Sequence, residues 1–170
     1  MSSSPVFVNF AYGSNMCSRR LRERTPSARP LGIGQLAGHK LMWHMAGGDG
    51  SAKCDIVETG RLEDVVWGVL YEIDASEKPL LDRAEGLGHS YHCKTVRVHQ
   101  ETGAIEAETY CALAIDAARQ PYDWYHAYVL AGALEHGLPR DYAEALKALP
   151  VVVDPDAERR RKNLALTGAG

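Results

Sequence analysis

Closely spaced cysteines are missing from this sequence. Its four cysteines, Cys17, Cys54, Cys93 and Cys111, are far apart and form no C-x-x-C motif. Structural zinc sites and disulfide frameworks normally show such close spacings. The cysteine pattern therefore indicates reduced thiols, as is usual in cytoplasmic proteins.

The sequence also lacks an excess of positive charge and any long hydrophobic run. Its 19 Lys and Arg against 22 Asp and Glu give a net charge of −3, whereas nucleic-acid-binding proteins present a basic face. No apolar stretch approaches the roughly 20 residues that a membrane span needs, and residues 1–5 lack the basic start of a signal peptide. We therefore expect no nucleic-acid partner, no membrane association and a cytoplasmic location.

Length and composition indicate one globular domain. The chain has 170 residues, of which 45% are hydrophobic and 24% are charged, as in ordinary soluble proteins. We expect a disordered tail over residues 1–5, one domain over residues 6–150 and a C-terminal tail over residues 151–170. The basic segment Arg159–Lys162 is expected to be solvated and frayed rather than to bind a partner.

The pattern of apolar residues predicts an α+β fold. The clearest strand is Val65–Ile73, in which apolar side chains alternate with the others. Further strands are predicted before Gly13 and at His39–His44, Cys54–Val57, Tyr91–Val98 and Ile105–Ala114, and helices at Met16–Glu23, before Gly86, at Trp124–His136 and at Asp141–Leu149. Because strands and helices mix without a regular βαβ alternation, we expect a mixed β-sheet that closes towards a small barrel and is flanked by helices.

The first predicted strand stops abruptly at a glycine. Residues 10–16 read FAYGSNM, and Gly13 permits a sharp turn or a close backbone approach to a ligand. Ser14 or Asn15 is predicted to cap the helix that follows, whose first N–H groups lack partners inside the helix. A carboxylate or phosphate fits such a turn, although an ordinary capped turn without a ligand has the same sequence pattern.

A carboxylate stands at an unfavourable position near the end of another predicted helix. Glu85 precedes Gly86, the expected helix stop, so its charge meets the negative end of the helix dipole. Such a placement indicates either an exposed glutamate or a functional one. A glutamate buried there would accept a proton more readily than an exposed one, as general-base catalysis requires.

Three other patterns are weak signals. Residues 32–38 resemble a dinucleotide-binding loop, but the last glycine is one position late and no predicted strand precedes the segment. His89 and His92 would be candidate metal ligands, yet residues three apart on a strand face opposite sides of the sheet. Ser14 lacks the G-x-S-x-G context of a nucleophilic serine. We therefore expect neither a metal site nor a serine nucleophile.

Together, these landmarks resemble the γ-glutamylcyclotransferase family. The resemblance rests on FAYGSNM at residues 10–16, PSA at 26–28, VWGV at 66–69, LDRAEG at 81–86 followed by Tyr91, then Tyr125, Gly132–Ala133 and GLP at 137–139. These motifs occur in the family's order and span roughly Val6–Leu149. Their combination is far more specific than the first motif alone.

The resemblance implies an intramolecular aminolysis. The α-amine of a γ-glutamyl amino acid or amine attacks its own γ-carbonyl, which forms 5-oxoproline and releases the free amine. Glu85 is implied as the general base. The implied substrate-binding residues are Tyr12, Gly13, Ser14, Asn15 and Met16 in the loop and Tyr125 in the pocket wall. The resemblance implies no cofactor and no metal.

Two alternatives stay open at this level. One is an enzyme of the same fold that removes a γ-glutamyl group from a carrier-bound or biosynthetic intermediate, because residues 87–90 and 120–124 depart from the family's pattern where a leaving group would lie. The other is a non-catalytic module that binds a γ-glutamyl ligand, which the presence of Glu85 disfavours. The sequence also leaves open whether the chain forms a homodimer.

Overall fold

The computed structural model describes residues 4–168, which form seven strands and five α-helices. The strands are β1 (Val6–Ala11), β2 (Arg29–Ala37), β3 (His39–Ala46), β4 (Ala52–Glu58), β5 (Val65–Asp74), β6 (Tyr91–Gln100) and β7 (Gly103–Ala112). The helices are α1 (Ser18–Arg24), α2 (Lys78–Glu85), α3 (Asp123–Glu135), α4 (Arg140–Lys147) and α5 (Ala157–Thr167). None of the helices within this part of the chain is long and apolar enough to cross a membrane.

Five of the strands form a closed barrel in the order β1-β5-β2-β6-β7. Neighbouring strands are antiparallel, except that β1 meets β7 in parallel, with Asn9 opposite Glu108. The strands β3 and β4 pair with each other as a separate hairpin. The predicted α+β fold, with a mixed sheet that closes into a barrel, is therefore confirmed.

The hydrophobic core is centred on β5 and on helix α3. Leu70, Tyr71 and Ile73 of β5 are fully buried, and so are Tyr128 and Val129 of α3. Because β5 pairs with β1 on one side and β2 on the other, it has no free edge in the barrel. Burial of these side chains removes a large apolar area from water, which is the main contribution to folding.

Helix α2 ends where the sequence predicted. Gly86 adopts a left-handed conformation with φ of 66°, and its N–H donates to the carbonyl of Arg83. The N–H of Leu87 then donates to the carbonyl of Asp82, so the end of the helix has the hydrogen bonds of a Schellman motif. This stop places Glu85 in the last turn of α2.

Strand β2 was not predicted from the sequence. One proline and two glycines within Arg29–Ala37 weaken the usual strand signal, and the pairing with β5 shifts register between Pro30 and Gly32. The close crossing with β6 requires a glycine at position 34, because a Cβ there would lie 2.4 Å from Val98 Cγ1. Residues 32–37 therefore belong to the barrel, and the likeness of this segment to a dinucleotide loop was coincidental.

The C-terminal segment differs from the frayed tail that the sequence suggested. It contains α5, which packs on α3 and is capped by Asp156, whose side chain accepts the N–H of Arg159 at 2.9 Å. Arg160 forms an ion pair with Asp123 at 2.7 Å, so part of the basic run is used for packing. Residues 169–170 of this tail, and residues 1–3 of the expected N-terminal tail, lie outside the described residues.

Candidate active site

The FAYGSNM loop connects β1 to α1 and lines a small cavity at one end of the barrel. Its helical part begins as a short 3-10 turn, Ser14–Met16, before α1, and neither Ser14 nor Asn15 caps a helix with its side chain. The predicted capping was therefore wrong. Ser14 Oγ instead accepts a hydrogen bond from Arg20 Nε at 3.0 Å, and the side chain of Asn15 reaches α2.

Glu85 meets the loop through one of its two carboxylate oxygens. Glu85 Oε1 accepts hydrogen bonds from Asn15 Nδ2 at 2.5 Å and from Arg24 Nη1 at 3.2 Å. Arg24 Nη1 also donates to Asn15 Oδ1 at 2.9 Å, so the three side chains contact one another. The side chain of Glu85 is 14% exposed, and no residue of the described part donates to its Oε2. One oxygen is therefore held in place while the other is free to accept a proton.

The sequence analysis did not predict that Arg24 belongs to this site. The positive charge of Arg24 lies 3.2 Å from Glu85 Oε1, which offsets the unfavourable end of the α2 dipole. A sequence signal for it does exist, since Arg20 and Arg24 are four residues apart and therefore lie on the same face of α1. The meeting of Arg24 with Glu85, 61 positions later, depends on tertiary packing.

Tyr125 of α3 forms a wall of the cavity, and Gly13 packs directly against it. The Tyr125 hydroxyl accepts the backbone N–H of Cys54 at 3.0 Å. A Cβ at Gly13 would lie 3.1 Å from both the Tyr125 hydroxyl and Cys54 Cβ. Glycine at position 13 is therefore explained by contact within the protein, in addition to any contact with a ligand.

The other polar groups of the cavity wall are neutral. Burial raises the pKa of the Tyr125 hydroxyl, and burial together with the nearby Asp55 charge raises that of Tyr12. Burial likewise raises the pKa of the Cys54 thiol, so this thiol is protonated at neutral pH and is a poor nucleophile. The Tyr12 hydroxyl donates to the carbonyl of Tyr110. These groups shape the cavity, to which Glu85 adds a carboxyl group.

Met16 is the one predicted binding residue that lies away from the cavity. The lining includes Tyr12, Gly13, Ser14, Asn15, Glu85 and Tyr125. Met16, in contrast, is fully buried behind the loop, where its carbonyl accepts the Tyr71 hydroxyl at 2.7 Å. Its position is that of a residue that supports the loop.

A wider cleft opens directly beside this cavity. It has a volume of about 280 Å³ and shares Ser14, Glu85, Tyr91 and Tyr125 with the cavity. Strand β4 contributes Lys53, whose ammonium lies 4.5 Å from the ring centre of Trp124 and 4.6 Å from that of Tyr125. The two spaces together provide room for a substrate with a small head and a larger second part.

The two histidines considered as metal ligands are both exposed. His89 lies in the loop after α2 and His92 lies on β6. Among residues 4–168, no group of three or more His, Cys, Asp or Glu side chains is arranged to hold a metal ion. Of the segment 87–90, Ser90 lines the cleft.

Comparisons with known proteins identify the relatives of this chain. The model of the AIG2-like family matches residues 65–146. A human γ-glutamylcyclotransferase is 32% identical, with 84% of this chain and 78% of the relative covered. A mouse γ-glutamylcyclotransferase is 31% identical, with 85% and 79% covered.

Solved structures agree with these sequence relatives. A γ-glutamyl cyclotransferase structure has a TM-score of 0.80 at 27% identity and covers 93% of this chain and 99% of that chain. The structure of a human protein described as uncharacterized has a TM-score of 0.79 at 28% identity, with 92% and 98% covered. The level of identity to the human relative and the extent of the match establish that this chain belongs to the γ-glutamylcyclotransferase family.

Proposed function

We propose that this protein is a γ-glutamylcyclotransferase, which converts a γ-glutamyl amino acid or amine into 5-oxoproline and the free amine. One observation carries the proposal. Glu85 lines the cavity with its Oε1 held by Asn15 of the loop and by Arg24, while its Oε2 carries no hydrogen bond from the described residues. The family to which the chain belongs and its structural neighbours support the same reaction.

Glu85 begins the reaction as the general base. The α-ammonium of the glutamyl group, with a pKa of about 8, transfers a proton to Glu85 Oε2. The neutral amine then attacks the γ-carbonyl carbon, and a new C–N bond closes a five-membered ring. The ring nitrogen then loses its extra proton as the original amide C–N bond breaks. The departing nitrogen takes up this proton and the one held by Glu85, so the amine leaves as an ammonium ion and Glu85 is again a carboxylate.

Positioning supplies much of the rate. The amine and the carbonyl belong to one substrate, so a pocket that holds them in contact avoids most of the entropic cost of the reaction. This saving is on the order of several kcal/mol. The N–H groups of Ser14 and Asn15, at the start of the 3-10 turn, have no backbone partner among the described residues. They bind the substrate's α-carboxylate or the oxyanion that develops on the γ-carbonyl.

The reaction needs no cofactor and no metal ion, because proton transfer and ring closure use only Glu85 and the substrate's own amine. The substrate is a small molecule, and the protein acts in the cytoplasm. A non-catalytic module that only binds γ-glutamyl ligands would not require a carboxyl group with one unbonded oxygen at this position.

The direct test is incubation of the purified protein with a panel of γ-glutamyl amino acids and γ-glutamyl amines, followed by mass detection of 5-oxoproline. We expect 5-oxoproline from at least one compound, at a rate that EDTA does not change. Activity that disappeared with EDTA and returned with zinc would contradict the metal-independent mechanism. Binding of every compound without release of 5-oxoproline would instead identify a binding module.

A further inference from the structure

The cleft beside Glu85 carries an excess of positive charge. Its charged lining residues within the described part of the chain are the cations Arg20, Arg24, Lys53 and Arg83 and the carboxylates Asp49 and Glu85. Four positive and two negative charges give a formal excess of two positive charges. The glutamyl head of the substrate has one ammonium and one carboxylate, so it does not compensate this excess.

Both carboxylates of the cleft already have cationic partners. Arg24 pairs with Glu85 at 3.2 Å, and Lys53 pairs with Asp49 at 2.9 Å. Neither Arg20 nor Arg83 has a carboxylate within ion-pair distance among residues 4–168. These two guanidinium groups therefore account for the unbalanced charge.

Arg20 is the inner of the two cations and is largely shielded from water. Its Nε donates to Ser14 Oγ at 3.0 Å, and its guanidinium lies 4.4 Å from the ring centre of Tyr128 and 5.8 Å from that of Trp124. Burial, and then the neighbouring Arg24 charge, lower the pKa of Arg20. All of its hydrogen-bonding and ring partners are neutral, so an anion that reached it would gain a charge-assisted contact.

Arg83 is exposed in the last turn of α2, two residues before Glu85. It lies on the rim of the cleft, whereas Arg20 contacts the loop that holds the glutamyl head. Of the two unpaired cations, Arg20 is therefore the more buried and touches the loop, and Arg83 is the more exposed. A leaving group with one anion near its nitrogen and a second anion further away matches this arrangement.

We propose that the cleft selects an acidic leaving group, with Arg20 binding its α-carboxylate and Arg83 binding its side-chain carboxylate. The preferred substrates are then γ-glutamyl dipeptides from which glutamate or aspartate is released. This inference rests on the proposed function, because it assigns the leaving-group side of the same site. Complementary charge across a binding surface is a general determinant of specificity.

The test compares kcat/KM for γ-glutamyl-glutamate, γ-glutamyl-alanine and γ-glutamyl-ethylamide, whose leaving groups carry two, one and no carboxylates. We expect kcat/KM to be highest for the glutamate substrate and lowest for the ethylamide, with a rise of about tenfold for each added carboxylate, as charge-assisted hydrogen bonds allow. The Arg83→Gln variant is expected to lose about tenfold in the ratio of glutamate to alanine substrate. The Arg20→Gln variant is expected to lose a similar factor in the ratio of alanine to ethylamide substrate.

Arg97→Gln is the matched control, because it removes the same charge from an exposed position on β6. The kcat/KM values for all three substrates should stay unchanged in this variant.

If Arg20→Gln fails to fold, the Arg83→Gln variant alone tests the proposed preference, because Arg83 is exposed. A wild-type enzyme that cleaves the alanine or ethylamide substrate as well as the glutamate substrate overturns this inference and leaves the proposed function intact. An unchanged ratio in Arg83→Gln overturns it as well. No 5-oxoproline from any of the three substrates would contradict the proposed function itself.

Discussion

Glu85 owes its chemical character to two side chains from a distant part of the chain. Asn15 and Arg24 both donate to its Oε1, which fixes the orientation of the carboxylate. At the C-terminal end of an isolated helix the same glutamate would be unfavourably placed. The contact with Arg24 compensates this disadvantage for helix stability and involves Oε1 alone, so Oε2 has no donor among the described residues.

Replacement of Glu85 by glutamine tests this role at the residue scale. Glutamine keeps the size and shape of the side chain but cannot take a proton from the α-ammonium. We expect kcat to fall about 10²–10⁴-fold, the usual effect of losing a general base, while KM changes little. The measurement is steady-state release of 5-oxoproline together with substrate binding by calorimetry.

Glu144→Gln is the control, since Glu144 is an exposed glutamate on α4 and its replacement should leave both constants unchanged. Near-normal turnover by Glu85→Gln would show that another group accepts the proton.

At the scale of elements, the position of the loop depends on how closely α3 packs against it. Gly132 of α3 lies under the junction of the 3-10 turn and α1. A Cβ at this glycine would come within 2.5 Å of the backbone atoms Cys17 N and Met16 C. No side chain fits there without moving the loop, so the glycine sets the distance between α3 and the segment that carries Asn15.

Gly132→Ala should therefore destabilise the protein, although a glycine-to-alanine change usually stabilises a helix. In an exposed helix interior, alanine is more favourable than glycine by about 1 kcal/mol. Here we expect the free energy of unfolding to fall by about 1–3 kcal/mol because the site is overpacked, and kcat/KM to fall because the loop is displaced. Urea unfolding and 5-oxoproline release measure the two effects.

The nearby Leu134→Ala provides the comparison, because Leu134 is 65% exposed on the same helix and its replacement should change stability by less than about 0.5 kcal/mol. A Gly132→Ala protein that was more stable than wild type would refute the packing argument.

At the scale of the whole molecule, a buried aspartate joins the C-terminal segment to the core. Asp154 accepts hydrogen bonds from Arg159 Nε at 2.6 Å on α5 and from Trp124 Nε1 at 2.7 Å on α3. The hydrogen bonds from Arg159 hold the pKa of Asp154 well below its ordinary value. The last helix is therefore fastened to the domain through an ionised group, in a segment that the sequence pattern treated as a tail.

This pairing predicts acid sensitivity. The pKa of Asp154 is lower in the folded protein than the roughly 3.9 of an unfolded aspartate, so its stabilising contribution is complete above about pH 5 and is lost as the pH falls below about 4. We expect Asp154→Asn to lower the urea midpoint at pH 7 and to reduce the difference in midpoint between pH 7 and pH 3. Glu101→Gln, in an exposed turn, should alter neither. An equal acid-induced loss in wild type and Asp154→Asn would assign the sensitivity to other groups.

Several features of this protein followed from the sequence because they depend on neighbouring residues. Alternation of apolar residues indicated β5, the strands β6 and β7 were both predicted, and Gly86 marked the end of α2. Each of these rests on backbone preferences and side-chain periodicity over fewer than about ten residues. The same local reading singled out Glu85, because a glutamate before a helix-ending glycine is unfavourable unless something else requires it.

Contacts between segments far apart in the sequence could be seen only in the tertiary structure. Strand β2, rich in glycine and proline, is a strand because β5 and β6 lie beside it, and no local preference marks it as one. Arg24 meets Glu85, and Met16 turns away from the cavity, because α1, α2 and α3 pack around the end of the barrel. The free energy of such contacts comes from burial and pairing between residues far apart in the chain, which the order of neighbouring residues does not encode.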